Sequence, residues 1–396
     1  MTKKLYFYDS YITEFTGNVI TVIPFKDRYA AIMRETYFYP ESGGQPSDTG
    51  YIDTVKVIKV EIQDGTIYHI IDSPIKPGSY KCKIDFDRRF DNMQQHTGQH
   101  ILSASFYKLF NTMTSSFHIG REISHIDIDK PGLTESDIIS AEICTNEYVY
   151  NNIPVLTYIV TPEEAAKLPL RKSPTVNQGI RIVEVKDCDF SPCGGTHVKS
   201  TGEIGIIKIT RCERSKNKLR LYFVCGKRAL LYFCKINQSI NDLASHFSTN
   251  IDDIPHRIEE AEQTKRKMKK EISSLKNELA SNIADDLYSK RKNINPNLDL
   301  VIKTFNDCDE QILHMVSSRL TENPDCLSVL VNNSKQQKFI ISRSADLDFN
   351  MKQLFEDLKD HFECNGGGNS KQVQFVIKGD GKNIITFIEE KIKDAL

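Results

Sequence analysis

The sequence predicts an α+β protein of several domains, and three observations carry that expectation. Short β-branched and aromatic runs fill the first ninety residues, a helical run opens after Asp91 before strands return, and strands alternate with helices from residue 298. Val19-Ile20-Thr21-Val22-Ile23, Tyr29-Ala30-Ala31-Ile32-Met33 and Val55-Lys56-Val57-Ile58-Lys59-Val60 are cut off by Gly, Pro and Asp. Such runs read as strands joined by turns, and several in succession predict a small β-barrel over residues 1–90. Between Gln94 and Phe110 the apolar residues Ile101, Leu102, Phe106, Leu109 and Phe110 fall at helical spacing. Strands are expected at 123–129, 155–160 and 180–185, with a helix at 134–146, so residues 91–236 form an α+β domain.

Residues 237–297 read as a helical linker. Ile258, Lys265, Ile272 and Leu279 form one seven-residue series and Ala261, Met268, Leu275 and Asn282 another. A coiled coil or helical hairpin fits this pattern, as does one helix packed on a neighbour. Asn295-Pro296-Asn297 is expected to end it. Residues 298–396 form a separate α/β domain, with strands at 300–302, 328–331, 339–341 and 374–377 and helices at 309–320, 351–361 and 384–395.

Composition narrows the function classes. The chain has 396 residues, 39% hydrophobic and 27% charged, which fits about two or three folded domains and excludes wholesale disorder. A formal net charge of −1 means that any nucleic-acid surface must be a local patch. No stretch is long and apolar enough for a bilayer, and no N-terminal signal pattern is present, so a soluble, cytoplasmic protein is expected. Ten scattered cysteines with no CxxC pair do not make a disulfide framework.

Two short segments carry the chemistry. His96 and His100 sit four apart in the predicted helix, so both imidazoles lie on one face and can reach one ion. Cys193 and His197 are also four apart, but Pro192, Gly194 and Gly195 exclude a regular helix there. The glycines allow a tight fold in which both side chains face one point. Three imidazoles and a thiolate suit one zinc ion per chain. A closed four-ligand set also fits a structural zinc, and the residues alone leave that alternative open.

His96-Thr97-Gly98-Gln99-His100 followed by Cys193-Gly194-Gly195-Thr196-His197 resembles the editing domain of alanyl-tRNA synthetase and its free-standing AlaX relatives. Phe38 to Gly50, with Gly43-Gly44-Gln45-Pro46, looks like the glycine motif of the N-terminal barrel in these proteins, and Thr201-Gly202-Glu203 fits the same pattern. Gly366-Gly367-Gly368-Asn369-Ser370-Lys371 is similar to the glycine-rich entry of the DHH-associated domain that ends alanyl-tRNA synthetases. The resemblance implies the long AlaX form: a barrel, a zinc-dependent editing domain, a linker and a DHH-associated domain. It implies a trans-editing deacylase acting on tRNA(Ala) mischarged with serine, and also with glycine. Under it Gln99 and His118 take catalytic roles, and Gly43, Gly44, Gln45 and Thr97 bind substrate. Gln99 stands where the synthetase carries a threonine, which puts the discrimination of serine at this position in doubt. Alternative readings are the editing of another aminoacyl-tRNA, and a non-catalytic tRNA-binding module with structural zinc.

Nine Lys and Arg between residues 199 and 228 face only Glu203 and Glu213. Within that patch Lys208, Arg211, Arg214, Lys216, Lys218 and Arg220 are expected to meet tRNA phosphates. From Pro296 onward twelve Lys and Arg stand against sixteen Asp and Glu, so that region lacks a general positive field. Homodimerisation through it, or through the preceding helix, is the competing expectation.

Overall fold

The computed structural model describes residues 1–174, 176, 178–334, 336–377 and 381–395. It is a mixed α+β structure that divides into two compact units, Met1–Asp242 and Leu243–Leu396.

Apart from the two-residue pair Lys3–Lys4 with Glu35–Thr36, six strands open the first unit: β1 (Glu14–Phe25), β2 (Arg28–Met33), β3 (Gly50–Ile52), β4 (Val55–Gln63), β5 (Thr66–Ile71) and β6 (Gly78–Ile84). They close as a barrel in the order β1-β2-β5-β4-β3-β6. Val19, Ala31, Met33, Ile52, Val57, Ile67 and Ile71 fill its core, since alternate residues of a strand point to one side.

Helix α1 (Phe86–Phe110) follows directly. It begins eight residues before the expected start at Gln94. The charged first two turns hide the apolar period, while the Asp85 carboxylate caps the helix by accepting from the Arg88 N–H at 3.2 Å. Asn111, in the left-handed conformation at φ 49°, ends it. The barrel grips this helix through a buried charge. Arg89, fully buried, is paired with Asp48 and donates to the carbonyls of Ser10 and Tyr37, each at 2.7 Å. Asp48 in turn accepts from the Tyr39 N–H at 2.6 Å, so the segment between barrel strands is fixed against α1.

Beyond α1 come β7 (Thr114–Ile119), β8 (Ser124–Ile128), α2 (Glu135–Tyr150), β9 (Val155–Val160), β10 (Ile180–Val185), β11 (Asp189–Pro192), β12 (Ile207–Arg214), β13 (Leu219–Cys225) and α3 (Gly226–His246). One antiparallel sheet runs β12-β13-β8-β7 and another runs β9-β10-β11. Thr134 and Asp137 form a reciprocal capping box at the start of α2. Pro192 is tolerated because it ends an edge strand, where a missing N–H costs little. Met93, Ile101, Leu102 and Phe106 of α1 share a core with Ile126, Leu221, Phe223 and Ala141.

In the second unit, α4 (Ile254–Ser289) precedes β14 (Lys292–Asn295), β15 (Leu298–Asn306), α5 (Glu310–Leu320), β16 (Cys326–Asn333), β17 (Gln337–Arg343), α6 (Met351–His361), β18 (Cys364–Gly368), β19 (Gln372–Ile377) and α7 (Lys382–Ala395). The sheet order is β14-β15-β16-β17-β19-β18, and among the described residues only β15 and β16 pair in parallel. One face carries α6 and α7 over Leu327, Val329, Phe339 and Phe375. The other carries α5 and the end of α4 over Val301, Leu330 and Ile340.

Helix α4 stops at Ser289, short of the expected Asn295-Pro296-Asn297. Those residues make the turn of a hairpin instead, because Lys292–Asn295 pairs with β15 at the sheet edge. The seven-residue apolar series stays exposed, with Met268, Ile272, Leu275 and Leu279 at 57%, 54%, 57% and 48%. The helix enters the core through residues outside that series, Ala280, Ala284 and Leu287, with Ile283 and Tyr288 partly buried beside them. No helix among the described residues is long and apolar enough to cross a membrane.

Candidate metal centre and its cavity

Helix α1 presents His96 and His100 one turn apart, both buried, and the segment after β11 brings Cys193 and His197 against them. One ligand atom from each of the four lies within 4.8 Å of every other. The Cys193 Sγ is 3.4 Å from His96 Nε2 and 3.3 Å from His197 Nε2. Bond lengths of about 2.3 Å to sulfur and about 2.0 Å to nitrogen put such edges near 3.5 Å in a tetrahedron. The donor set therefore fits a zinc-sized ion.

The second nitrogen of every imidazole is tied down. His96 Nδ1 meets Gln45 Oε1 at 2.7 Å, His100 Nδ1 meets Asp189 Oδ2 at 2.8 Å, and His197 Nδ1 meets Thr97 Oγ1 at 3.1 Å. Outer partners of this kind fix the tautomer and aim of a ligating ring. Gln45 is itself locked, donating to Thr196 Oγ1 at 2.7 Å and accepting from the Thr196 N–H at 3.1 Å.

Why the sequence folds this way locally is clear at three residues. A Cβ at Gly195 would collide with the His96 ring, so only glycine lets the chain pass that close. Gly44, at φ +84°, passes equally close to the Phe117 carbonyl. Its own carbonyl accepts from the Ile119 N–H at 2.8 Å, fastening the barrel segment to β7. Arg181 of β10, buried, donates to the carbonyls of Cys193 and Gly195, both at 2.9 Å, and so shapes the ligand loop.

Electrostatics prepare the ligands. Burial raises the Cys193 thiol, but the charges of His96 and His197 and hydrogen bonds from His100 and His197 hold it well below its ordinary value. Burial lowers His100, yet Asp189 and the Cys193 sulfur outweigh it and bring its pKa to about 9. His197 falls to about 3, through burial and then the charge of His96. Asp189 is lowered despite its burial, by His100 and Arg171.

A cavity of about 320 Å³ opens over this cluster. His96, His100 and Cys193 line it, while His197 lies behind them. Ser42, Gly43, Gln99, Ser115, Ser116 and Phe117 complete much of the wall. Gln99 donates through Nε2 to Ser103 Oγ at 2.8 Å, and Ser103 accepts from Thr114 Oγ1 at 2.7 Å.

Several expectations need correction. His118 does not line the cavity: alternation along β7 turns Phe117 inward, its ring 5.2 Å from His96, and leaves His118 exposed beside His125. Gln45 and Thr97, expected to bind substrate, face the histidines and are fully buried. Gly44 holds β7 rather than lining the cavity, whereas Gly43 does line it.

The basic patch is largely neutralised. Lys208 pairs with Glu142 at 2.7 Å and Arg220 with Asp127 at 2.7 Å. Arg211 pairs with Glu213 at 3.2 Å and covers the Tyr222 ring, and Arg214 donates to the Leu133 carbonyl at 2.9 Å. Lys216 and Lys218, exposed between β12 and β13, keep no ion pair among the described residues. Two of the opposing acids, Asp127 and Glu142, lie far outside the charge-counting window. Reading the sequence also missed Asp189 and Arg171, which no motif marks.

Residues 180–222, which include Cys193 and His197, match the family model described as the threonyl and alanyl tRNA synthetase second additional domain. The whole chain is similar to the alanyl-tRNA editing protein AlaX-L of Pyrococcus horikoshii, 32% identical over 418 residues and covering 100% of each chain. An alanyl-tRNA editing protein of Mus musculus is 30% identical over 71% of this chain and 73% of its own length. The alanine–tRNA ligase of Pyrococcus abyssi is 28% identical over 96% of this chain but only 42% of the ligase.

Proposed function

Because the chain belongs to the AlaX family of alanyl-tRNA editing proteins, we propose that it hydrolyses the ester joining a wrongly attached amino acid to tRNA(Ala), with serine the main target and glycine a second. The observation that carries this reading is the cavity whose floor is His96, His100 and Cys193. These residues, with His197, would hold one zinc ion. Such an ion supplies Lewis acidity at the ester carbonyl and lowers the pKa of water.

The side chains do the rest. His197 lies away from the cavity, so substrate approaches across the other three ligands. Gln99 has its amide N–H₂ engaged by Ser103, which leaves the carbonyl oxygen to accept from the serine hydroxyl. A site that hydrogen-bonds a hydroxyl rejects the analogue lacking it far more strongly than an apolar pocket does. On this reading Gln99 spares alanyl-tRNA(Ala), and Gly43 gives the nucleoside close access to the backbone.

The same reading takes residues 1–90 as barrel, 91–236 as editing domain, 237–297 as linker and 298–396 as a DHH-associated domain, in a cytoplasmic protein. The exposed stripe on α4 supports a homodimer through the C-terminal region; sedimentation as a monomer at micromolar concentration counts against it.

The deciding experiment follows serine release from Ser-tRNA(Ala), with Ala-tRNA(Ala) as control, using protein of measured zinc content. Rapid serine loss with alanine spared is the expected result. No release from either at one zinc per chain would overturn the proposal.

A further inference from the structure

The cavity over the metal centre has a charge that an amino acid does not account for. Among the described residues no carboxylate lines it, yet Arg171 and Lys172 do. An esterified amino acid brings an ammonium group, which Lys172 repels, while the Arg171 charge is balanced by Asp189 behind it. The positive charge therefore addresses another part of the substrate.

Arg171 is held as a rigid fork. Its Nε donates to Asp189 Oδ1 at 2.7 Å, and Nη2 donates to Asp189 Oδ2 at 3.3 Å and Ser191 Oγ at 3.1 Å. The side chain is only 7% exposed, and its Nη1 is buried with no partner. A planar guanidinium gripped through Nε and Nη2 turns its remaining edge away from the gripping carboxylate. A buried donor left unmet is destabilising, and an arriving acceptor relieves it.

Lys172 is exposed and in no ion pair among the described residues. Partial burial of its stem, and then the charge of Arg171, lower its pKa. It also borders a second cavity of about 490 Å³, whose wall is mostly apolar: Pro162, Leu168, Leu170, Pro174 and Val176. The two cations thus stand where a polar cavity over the metal centre meets an apolar one.

We propose that Arg171 and Lys172 hold the phosphodiester linking the last two nucleotides of the bound tRNA. The terminal nucleoside and its ester occupy the polar cavity, and the preceding base lies in the apolar one. The assignment rests on reading the polar cavity as the aminoacyl-tRNA site. Phosphate oxygens suit both cations, Arg as a directed donor and Lys as a point charge.

The test compares binding of adenosine and of cytidylyl-3′,5′-adenosine to the zinc-loaded full chain by NMR titration. The dinucleotide should bind about tenfold tighter than adenosine, consistent with a charge-assisted hydrogen bond, and added salt should narrow the gap. Lys172→Met should close most of the gap at unchanged zinc content, and Arg171→Lys should reduce it. Equal binding of the two ligands by the wild type overturns the proposal, as does a gap that survives in Lys172→Met. Equal weakening of both ligands in that variant also overturns it, placing Lys172 on the nucleoside. Absence of deacylation with the gap intact supports the phosphate site and sinks only the editing reading.

Discussion

His96, His100 and His197 aim one nitrogen inward because Gln45, Asp189 and Thr97 hold the other. Outer partners of this kind typically contribute about 10–100-fold to metal affinity. Gln45→Ala should therefore raise the zinc dissociation constant by about that factor, read by chelator competition, with the fold intact by circular dichroism. Unaltered affinity would show that His96 needs no anchor. A second residue-scale prediction concerns His69, fully buried between Thr36 Oγ1 and the Ala31 carbonyl, both at 2.9 Å. Burial, opposed by the Ala31 bond, lowers its pKa from 6.5 to about 4. The unfolded chain then binds more protons between these values, so the stability is intact above pH ~6.5 and lost as pH falls toward 4. The loss is on the order of 3 kcal/mol. The urea midpoint should drop more steeply from pH 7.5 to pH 5 in the wild type than in His69→Gln; parallel curves would refute this. The clustering of His96, His100, Cys193 and His197 was legible because each pair is close in sequence. Their anchors were not, since Gln45 and Asp189 reach the histidines only through tertiary packing.

Helix α1 shows how packing overrides propensity at the scale of an element. Gly98 lies mid-helix, where alanine is normally better by about 1 kcal/mol. A Cβ there would collide with the buried Cys225 Sγ and touch Ile204, and overpacking costs about 1–3 kcal/mol. Gly98→Ala should lower the urea midpoint, and adding Cys225→Ala should recover most of the loss. A stabilised single variant would mean that the sulfur moves aside freely. The helices and strands with a clean period were legible, including α2 and all four expected C-terminal strands. The ends of α1 and α4 were not. A charged first turn concealed one start, and pairing of Lys292–Asn295 with β15 took residues that local signals assigned to a helix.

The four residues of the candidate metal centre, their anchors and the cavity all lie within the unit Met1–Asp242. A fragment ending at His246, where α3 ends, should therefore hold one zinc per chain and melt cooperatively. Zinc lost on desalting, or no near-ultraviolet dichroism, would contradict that. The α+β class was legible because strand and helix periods succeed one another in blocks. The charge of the surface was not: ion pairs formed across the fold, such as Lys208 with Glu142, are invisible to a count along the chain.

The barrel's contribution of Gln45 to the metal centre has a consequence for how the protein is made. Synthesis runs from the N-terminus at about 5–20 residues per second, and His197 follows His96 by 101 positions. For roughly 5–20 s the ribosome thus displays two histidines of an unfinished centre. The barrel strands end at Ile84, before either histidine emerges. Gln45 is therefore already on a completed scaffold when His96 appears, a brace waiting for a ring whose sulfur partner has yet to be translated.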